Sequence, residues 1–140
     1  MKKRFKILSM VMVIVTVLMC TAMPIQAAVV QPDVEPMWDN TNTIIIGLSF
    51  PNNGCAEASV CGKTGVTQIT IDICVYRQSG NSWIYVTEAH KTVTNKMTCA
   101  LGCQFTPING AYYRADFTFT ITKGGVDEII EKTKYKTCEQ

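Results

Sequence analysis

Six of the seven cysteines, those beyond Cys20 in the N-terminal apolar run, one histidine and a group of aromatic residues carry most of the chemical potential of this sequence. Cys55, Cys61, Cys74, Cys99, Cys103 and Cys138 run from mid-chain almost to the last residue. Zinc knuckles place their cysteines as Cys-x-x-Cys, whereas here the closest pairs, Cys55 with Cys61 and Cys99 with Cys103, are six and four residues apart. In an extended strand, residues four apart are separated by about 13 Å, too far to share a tetrahedral ion. We expect no metal and no other cofactor. Thiols in an even number read instead as disulfides when the chain is bound for an oxidising space. Bonded cysteines need Cα atoms within about 7 Å, so Cys99 and Cys103 are not expected to bond each other within one straight strand. Each is expected to pair elsewhere, across to Cys61, Cys74 or Cys138, and spacing leaves the pairing open.

His90 is the single histidine, with Glu88, Lys91 and Thr92 around it. Nucleophilic catalysis needs a base oriented by a third group beside an activated hydroxyl or thiol, and no Gly-x-Ser-x-Gly elbow accompanies this residue. The carboxylates stand singly at Asp72, Glu88 and Asp116, or together on a terminal hairpin at Asp127, Glu128 and Glu131. A glycosidase needs two facing acids in a cleft, for which a small sandwich leaves little room. No catalytic residue is predicted. The aromatic residues are more suggestive: Tyr76, Trp83, Tyr85 and Tyr112, with Tyr113, cluster around the hairpins. Exposed rings stack on sugar faces or anchor a protein contact, so the first four form a candidate binding surface, while alternation assigns Tyr113 to the core.

The compartment follows from the N-terminus. Met1-Lys2-Lys3-Arg4-Phe5-Lys6 precedes an apolar run from Ile7 to Cys20, and Pro24 comes shortly before Ala27. This is the pattern of a signal peptide over residues 1–27, shorter than the roughly 20 apolar residues of a membrane span. Cleavage after Ala27 predicts a product without a membrane span, secreted and extracellular. Cys20 follows Met19 where a lipid-modified cysteine normally follows a small residue, so lipidation is not expected. Beyond Ala27 nine basic and eleven acidic residues remain, a net charge of −2. No mature stretch clusters Lys or Arg as a phosphate footprint requires, and nucleic-acid binding is excluded as an expectation.

Residues 28–42, with Pro32 and Pro36 and no sustained periodicity, read as a flexible leader, and residues 43–140 as the folded domain. Period-two alternation recurs along the domain. Ile44, Ile46, Leu48 and Phe50 share one face, as do Ile69, Ile71, Ile73 and Val75, and later Cys99, Leu101, Cys103 and Phe105. Tyr113, Ala115, Phe117, Phe119 and Ile121 form a further set. Turn-forming residues fall between these runs at Pro51-Asn52-Asn53-Gly54, Gly62-Lys63-Thr64-Gly65, Gln78-Ser79-Gly80-Asn81-Ser82, Pro107-Ile108-Asn109-Gly110 and Lys123-Gly124-Gly125. Seven short strands without a helical period predict an all-β, seven-stranded antiparallel sandwich. A core this small is marginal, and disulfide staples of about 2–4 kcal/mol each would support it.

Three stretches carry a family resemblance: Cys61-Gly62, the hairpin Val75-Tyr76-Arg77-Gln78-Ser79-Gly80-Asn81-Ser82-Trp83, and Gly110-Ala111-Tyr112-Tyr113-Arg114 with Glu131-Lys132-Thr133-Lys134-Tyr135. With them the chain resembles small secreted proteins of Gram-positive bacteria that have an immunoglobulin-like or fibronectin-type-III-like sandwich and no established activity. The resemblance implies that fold and transfers no active site. The functional expectation is a non-enzymatic extracellular binding or adhesion module for a protein or glycan partner. The alternatives are a secreted bacteriocin-like toxin or inhibitor, and a small hydrolase built around His90.

Overall fold

The computed structural model describes residues 37–139. The signal-peptide reading over residues 1–27 and the leader up to residue 36 lie outside the described residues. Seven strands follow: β1 (Thr41–Ser49), β2 (Gly54–Gly62), β3 (Val66–Ser79), β4 (Ser82–Thr94), β5 (Thr98–Phe105), β6 (Tyr112–Lys123) and β7 (Val126–Thr137). All pairings are antiparallel, and the strands divide into a three-stranded sheet, β1-β2-β5, and a four-stranded sheet, β4-β3-β6-β7. Among the described residues no helix is long and apolar enough to cross a membrane.

Alternation explains the layering. Ile69, Ile71, Ile73 and Val75 of β3, and Tyr113, Ala115, Phe117, Phe119 and Ile121 of β6, are all buried. They form one core with Leu48, Ala56, Ala58, Val60 and Cys99 from the opposite sheet. The two central strands of the larger sheet thus supply the bulky branched and aromatic side chains, and β2 supplies mostly small ones. At one end Phe50, Phe105 and Tyr113 pack ring against ring with centroids 5.3–6.1 Å apart. The Tyr113 hydroxyl accepts a 2.9 Å hydrogen bond from the amide of Ile108, so the one polar atom of that buried ring is satisfied.

Two of the turns act as the sequence suggests. The β3–β4 loop is closed by Gly80 and the β6–β7 loop by Gly124 and Gly125, all three in the left-handed region where a side chain would be strained. Gly54 behaves differently. Read as a turn glycine, it is the first residue of β2, opposite Phe105, and a Cβ there would come within 2.3 Å of the Phe105 ring. Close approach of an aromatic ring is what requires glycine at this position.

The expected disulfide staples are not formed: the six cysteines of the described residues are all thiols. Strand register explains most of this. Along β2 and β5, Cys103 stands opposite Ala56 and Cys99 opposite Val60, both facing the core, whereas Cys55 stands opposite Gln104 and Cys61 opposite Thr98 on the outer face. Each cysteine of one strand misses its neighbour on the other by one residue, which sends the two side chains to opposite faces. Cys74 belongs to the outer face of the other sheet, paired with Glu88 and Asp116. Cys138 is buried beyond β7, its amide bonded to the Ala111 carbonyl.

The chain already docks before the expected domain boundary at residue 43. One carboxylate, that of Glu128, accepts hydrogen bonds from the amides of Asp39 and Asn40 and from the Thr41 hydroxyl, the last at 2.7 Å. Asn40 is buried and donates to the carbonyl of Ile121 at 3.2 Å. Trp38 is covered by Lys132, whose ammonium lies 5.4 Å from the ring centre.

Candidate functional site

The outer face of the four-stranded sheet collects the polar and aromatic residues that alternate with the core. Register sets them in rows across the strands. One row runs Thr92, Thr70, Thr120, Ile129; the next His90, Asp72, Thr118, Glu131; the next Glu88, Cys74, Asp116, Thr133. The fourth is aromatic: Tyr85 of β4, Tyr76 of β3, Arg114 of β6 and Tyr135 of β7. Between Val75 and Tyr76 the β3–β4 register shifts by one residue, passing over Val86 of β4, and brings Tyr85 opposite Tyr76.

Trp83 and Tyr112 complete the cluster beyond that row. Trp83 lies 6.0 Å from both Tyr112 and Tyr135, and these two tyrosines are nearly parallel with centroids 5.9 Å apart. Tyr76 and Tyr85 meet edge to face at 6.3 Å. Arg114 joins the two groups, its guanidinium carbon 4.6 Å from the centre of Tyr76 and 4.9 Å from that of Trp83. Each such contact contributes on the order of 0.5–2 kcal/mol, depending on how far it is desolvated.

A polar relay fixes the arginine. Arg114 Nη2 is 3.1 Å from Asp116 Oδ2, and the Thr133 hydroxyl donates to Asp116 Oδ1 at 3.0 Å. The Nε of Arg114 is shut off from solvent by the flanking rings and has no partner, a cost that the ring contacts and the ion pair offset. The cluster is nevertheless open to solvent: Tyr85 is 54% exposed, Tyr135 50% and Tyr112 39%, while Tyr76 and Trp83 are half-buried beneath them. Three partly exposed rings held by side-chain packing form a firm apolar surface bordered by hydroxyls and carboxylates.

Negative charge gathers beside the rings. The Cys74 thiol is pushed above its ordinary value of 9.0 by burial first, then by Glu88, with Asp116 and Asp72 adding to the effect and a hydrogen bond with Tyr76 opposing it. One row away His90 Nδ1 is 2.5 Å from Asp72 Oδ1, and its Nε2 is 3.3 Å from the Thr92 hydroxyl. Thr92 in turn meets Thr70 at 2.9 Å. This chain orients an imidazole with a carboxylate, as a general base requires, yet the two side chains are 64% and 45% exposed on a sheet surface.

All four residues proposed from sequence, Tyr76, Trp83, Tyr85 and Tyr112, lie in this cluster. The sequence reading missed Arg114 and Tyr135. Their signal was alternation: Arg114 sits between buried Tyr113 and buried Ala115 and must face outward at the end of β6 where Tyr112 stands. The Cys74 and Tyr76 side chains share this face, whereas the other five cysteines lie outside it. On the opposite sheet a shallow trough of about 500 Å³ is lined by Ile45, Glu57, Ser59, Ala100 and Gly102 among others, with one carboxylate and no aromatic ring. Among the described residues no group of three or more His, Cys, Asp or Glu side chains is placed to hold a metal ion. No protein-family model, no curated protein and no solved structure matches the chain.

Proposed function

We propose that the protein is a secreted, non-enzymatic immunoglobulin-like module that binds a glycan through the aromatic end of its four-stranded sheet. Secretion is supported by the charged and apolar N-terminal run ending at Ala27. The immunoglobulin-like classification is supported by the division into three and four strands. It is supported too by Tyr113, near the start of β6, bonding back to Ile108 as the tyrosine of such sandwiches does at this corner.

The observation that carries the functional reading is the cluster of Tyr76, Trp83, Tyr85, Tyr112, Tyr135 and Arg114 on a sheet face whose other rows are mostly threonine and charged residues. Such rings, and arginine with them, are also frequent in protein–protein hot spots, but the core of a protein interface is depleted of acidic groups. Here an Arg114–Asp116 pair and the Tyr hydroxyls lie among the rings. Apolar faces beside hydrogen-bonding groups match the alternation of C–H faces and hydroxyls on a pyranose.

Co-sedimentation with insoluble cellulose, chitin and β-1,3-glucan tests the reading. The purified protein is expected in the pellet with at least one of them, and Trp83→Ala, checked for native circular dichroism, in the supernatant. Equal partitioning of the two proteins, or no sedimentation with any polymer, overturns it. A second reading, a small hydrolase, has one observation in its favour, the Asp72–His90–Thr92 hydrogen-bonded chain. Release of p-nitrophenol from p-nitrophenyl acetate that disappears in His90→Ala would support it, and identical rates would remove it.

A further inference from the structure

The aromatic row has no end wall. Its outer members, Tyr85 and Tyr135, stand on β4 and β7, which are the two edge strands of the sheet. A ligand lying along the row therefore meets rings at both edges of the sheet and can continue past either one. Sites that recognise a chain terminus enclose it in a pocket; an open row accepts the middle of a chain. The row spans three strand spacings of about 4.8 Å, and each spacing is close to the length that one linked pyranose unit takes along an extended chain.

Charge limits the ligand further. Arg114, the one cation in the row, is already paired with Asp116, so it has no net charge to offer an acidic group. The neighbouring rows place Glu88, Asp72 and Glu131 on the same face. A polyuronate or a phosphate-bearing polymer laid here would meet like charge.

Resting on the glycan reading above, we infer that the ligand is an uncharged linear polysaccharide, held by an internal stretch of about three sugar units lying across the four strands. Binding then depends on chain length up to that span and not beyond it. The rings at the two edges matter only to ligands long enough to reach them.

Isothermal titration of the purified protein with β-1,4-linked glucose and N-acetylglucosamine oligomers of one to six units tests this, with oligogalacturonates of equal length as the charged comparison. Affinity for the neutral series that binds is expected to rise about tenfold or more between the disaccharide and the tetrasaccharide and then level off. Tyr85→Ala and Tyr135→Ala, both at exposed positions, are each expected to weaken tetrasaccharide binding about tenfold. Equal affinity for monosaccharide and tetrasaccharide, or tighter binding of the galacturonates, overturns this inference and leaves the glycan reading standing. Absence of binding to every oligomer, with no retention on any insoluble polysaccharide, overturns both.

Discussion

Cys55 and Cys103 lie one register step apart on neighbouring strands with their side chains on opposite faces of the same sheet. Cys61 and Cys99 repeat the relationship with the step taken in the other sense. No single slip of β5 along β2 aligns both pairs, and a slip of one residue would also turn Cys99, Leu101, Cys103 and Phe105 of β5 away from the core. The hydrophobic pattern therefore holds the thiols apart. Alkylation with iodoacetamide in denaturant, without reductant, is expected to label all six cysteines of residues 37–140. A peptide map with any of these cysteines unlabelled and linked to another would contradict this.

Burial also sets how these thiols ionise. It pushes Cys99 above its ordinary value of 9.0, against the pull of Lys91 and Lys96, and pushes Cys103 up likewise. A thiol whose pKa is raised in the folded state releases its proton later there than in the unfolded chain, so above about pH 9 the unfolded state binds fewer protons. The stability contribution is complete below the unfolded pKa and is lost as pH rises through the folded one. Urea midpoints should hold steady from neutrality to about pH 8 and decline above about pH 9, and C99A/C103A should reduce the alkaline decline relative to the parent.

Gly54 offers a test of close packing without any charge. Adding one methyl group places it against the Phe105 ring, which is itself wedged on Phe50 and Tyr113. Gly54→Ala is expected to lower unfolding free energy by about 1–3 kcal/mol, the range for overpacking a core, as measured by chemical denaturation. A change within about 0.5 kcal/mol would mean that the ring moves freely aside.

Glu128 gathers three hydrogen bonds from a segment nearly ninety residues earlier in the chain. Glu128→Ala leaves the Asn40 amide and Thr41 hydroxyl without their acceptor and is expected to cost about 1–3 kcal/mol. Hydrogen exchange should accelerate at Asn40 while the Ile71 amide, in the middle of the sheet, keeps its protection. Equal acceleration at both sites would show that this strap, residues 38–41, unfolds only with the whole domain.

The strands were legible because each buried face is a row of apolar residues at period two; Ile69 to Val75 and Tyr113 to Ile121 admit hardly any other reading. Legibility failed where a property depends on two strands at once. Gly54 looks like a turn residue until Phe105 is known to lie over it, and the cysteines look like staples until the β2–β5 register is known. Arg114 and Tyr135 look like ordinary outward residues until pairing of β6 with β7 sets them side by side. Glu128 has the same character, since the partners that give it a role are set by tertiary docking. Local alternation specifies which face a side chain takes; only register specifies its neighbours.

The strap and the aromatic cluster also occupy opposite poles of the sandwich. Asn40 bonds to Ile121 and Thr41 to Glu128 near the β6–β7 turn, whereas Tyr112 opens β6 at its far end, beside Cys138 and Ala111. Nine residues of strand, a rise of about 30 Å, separate Ile121 from Tyr112. The polypeptide thus enters at one pole and carries its rings at the other, so any fusion or support joined through the N-terminal side holds the domain by its base and leaves the aromatic tip facing outward. Immobilisation through that side keeps the rings accessible, and attachment through the C-terminal residues crowds them.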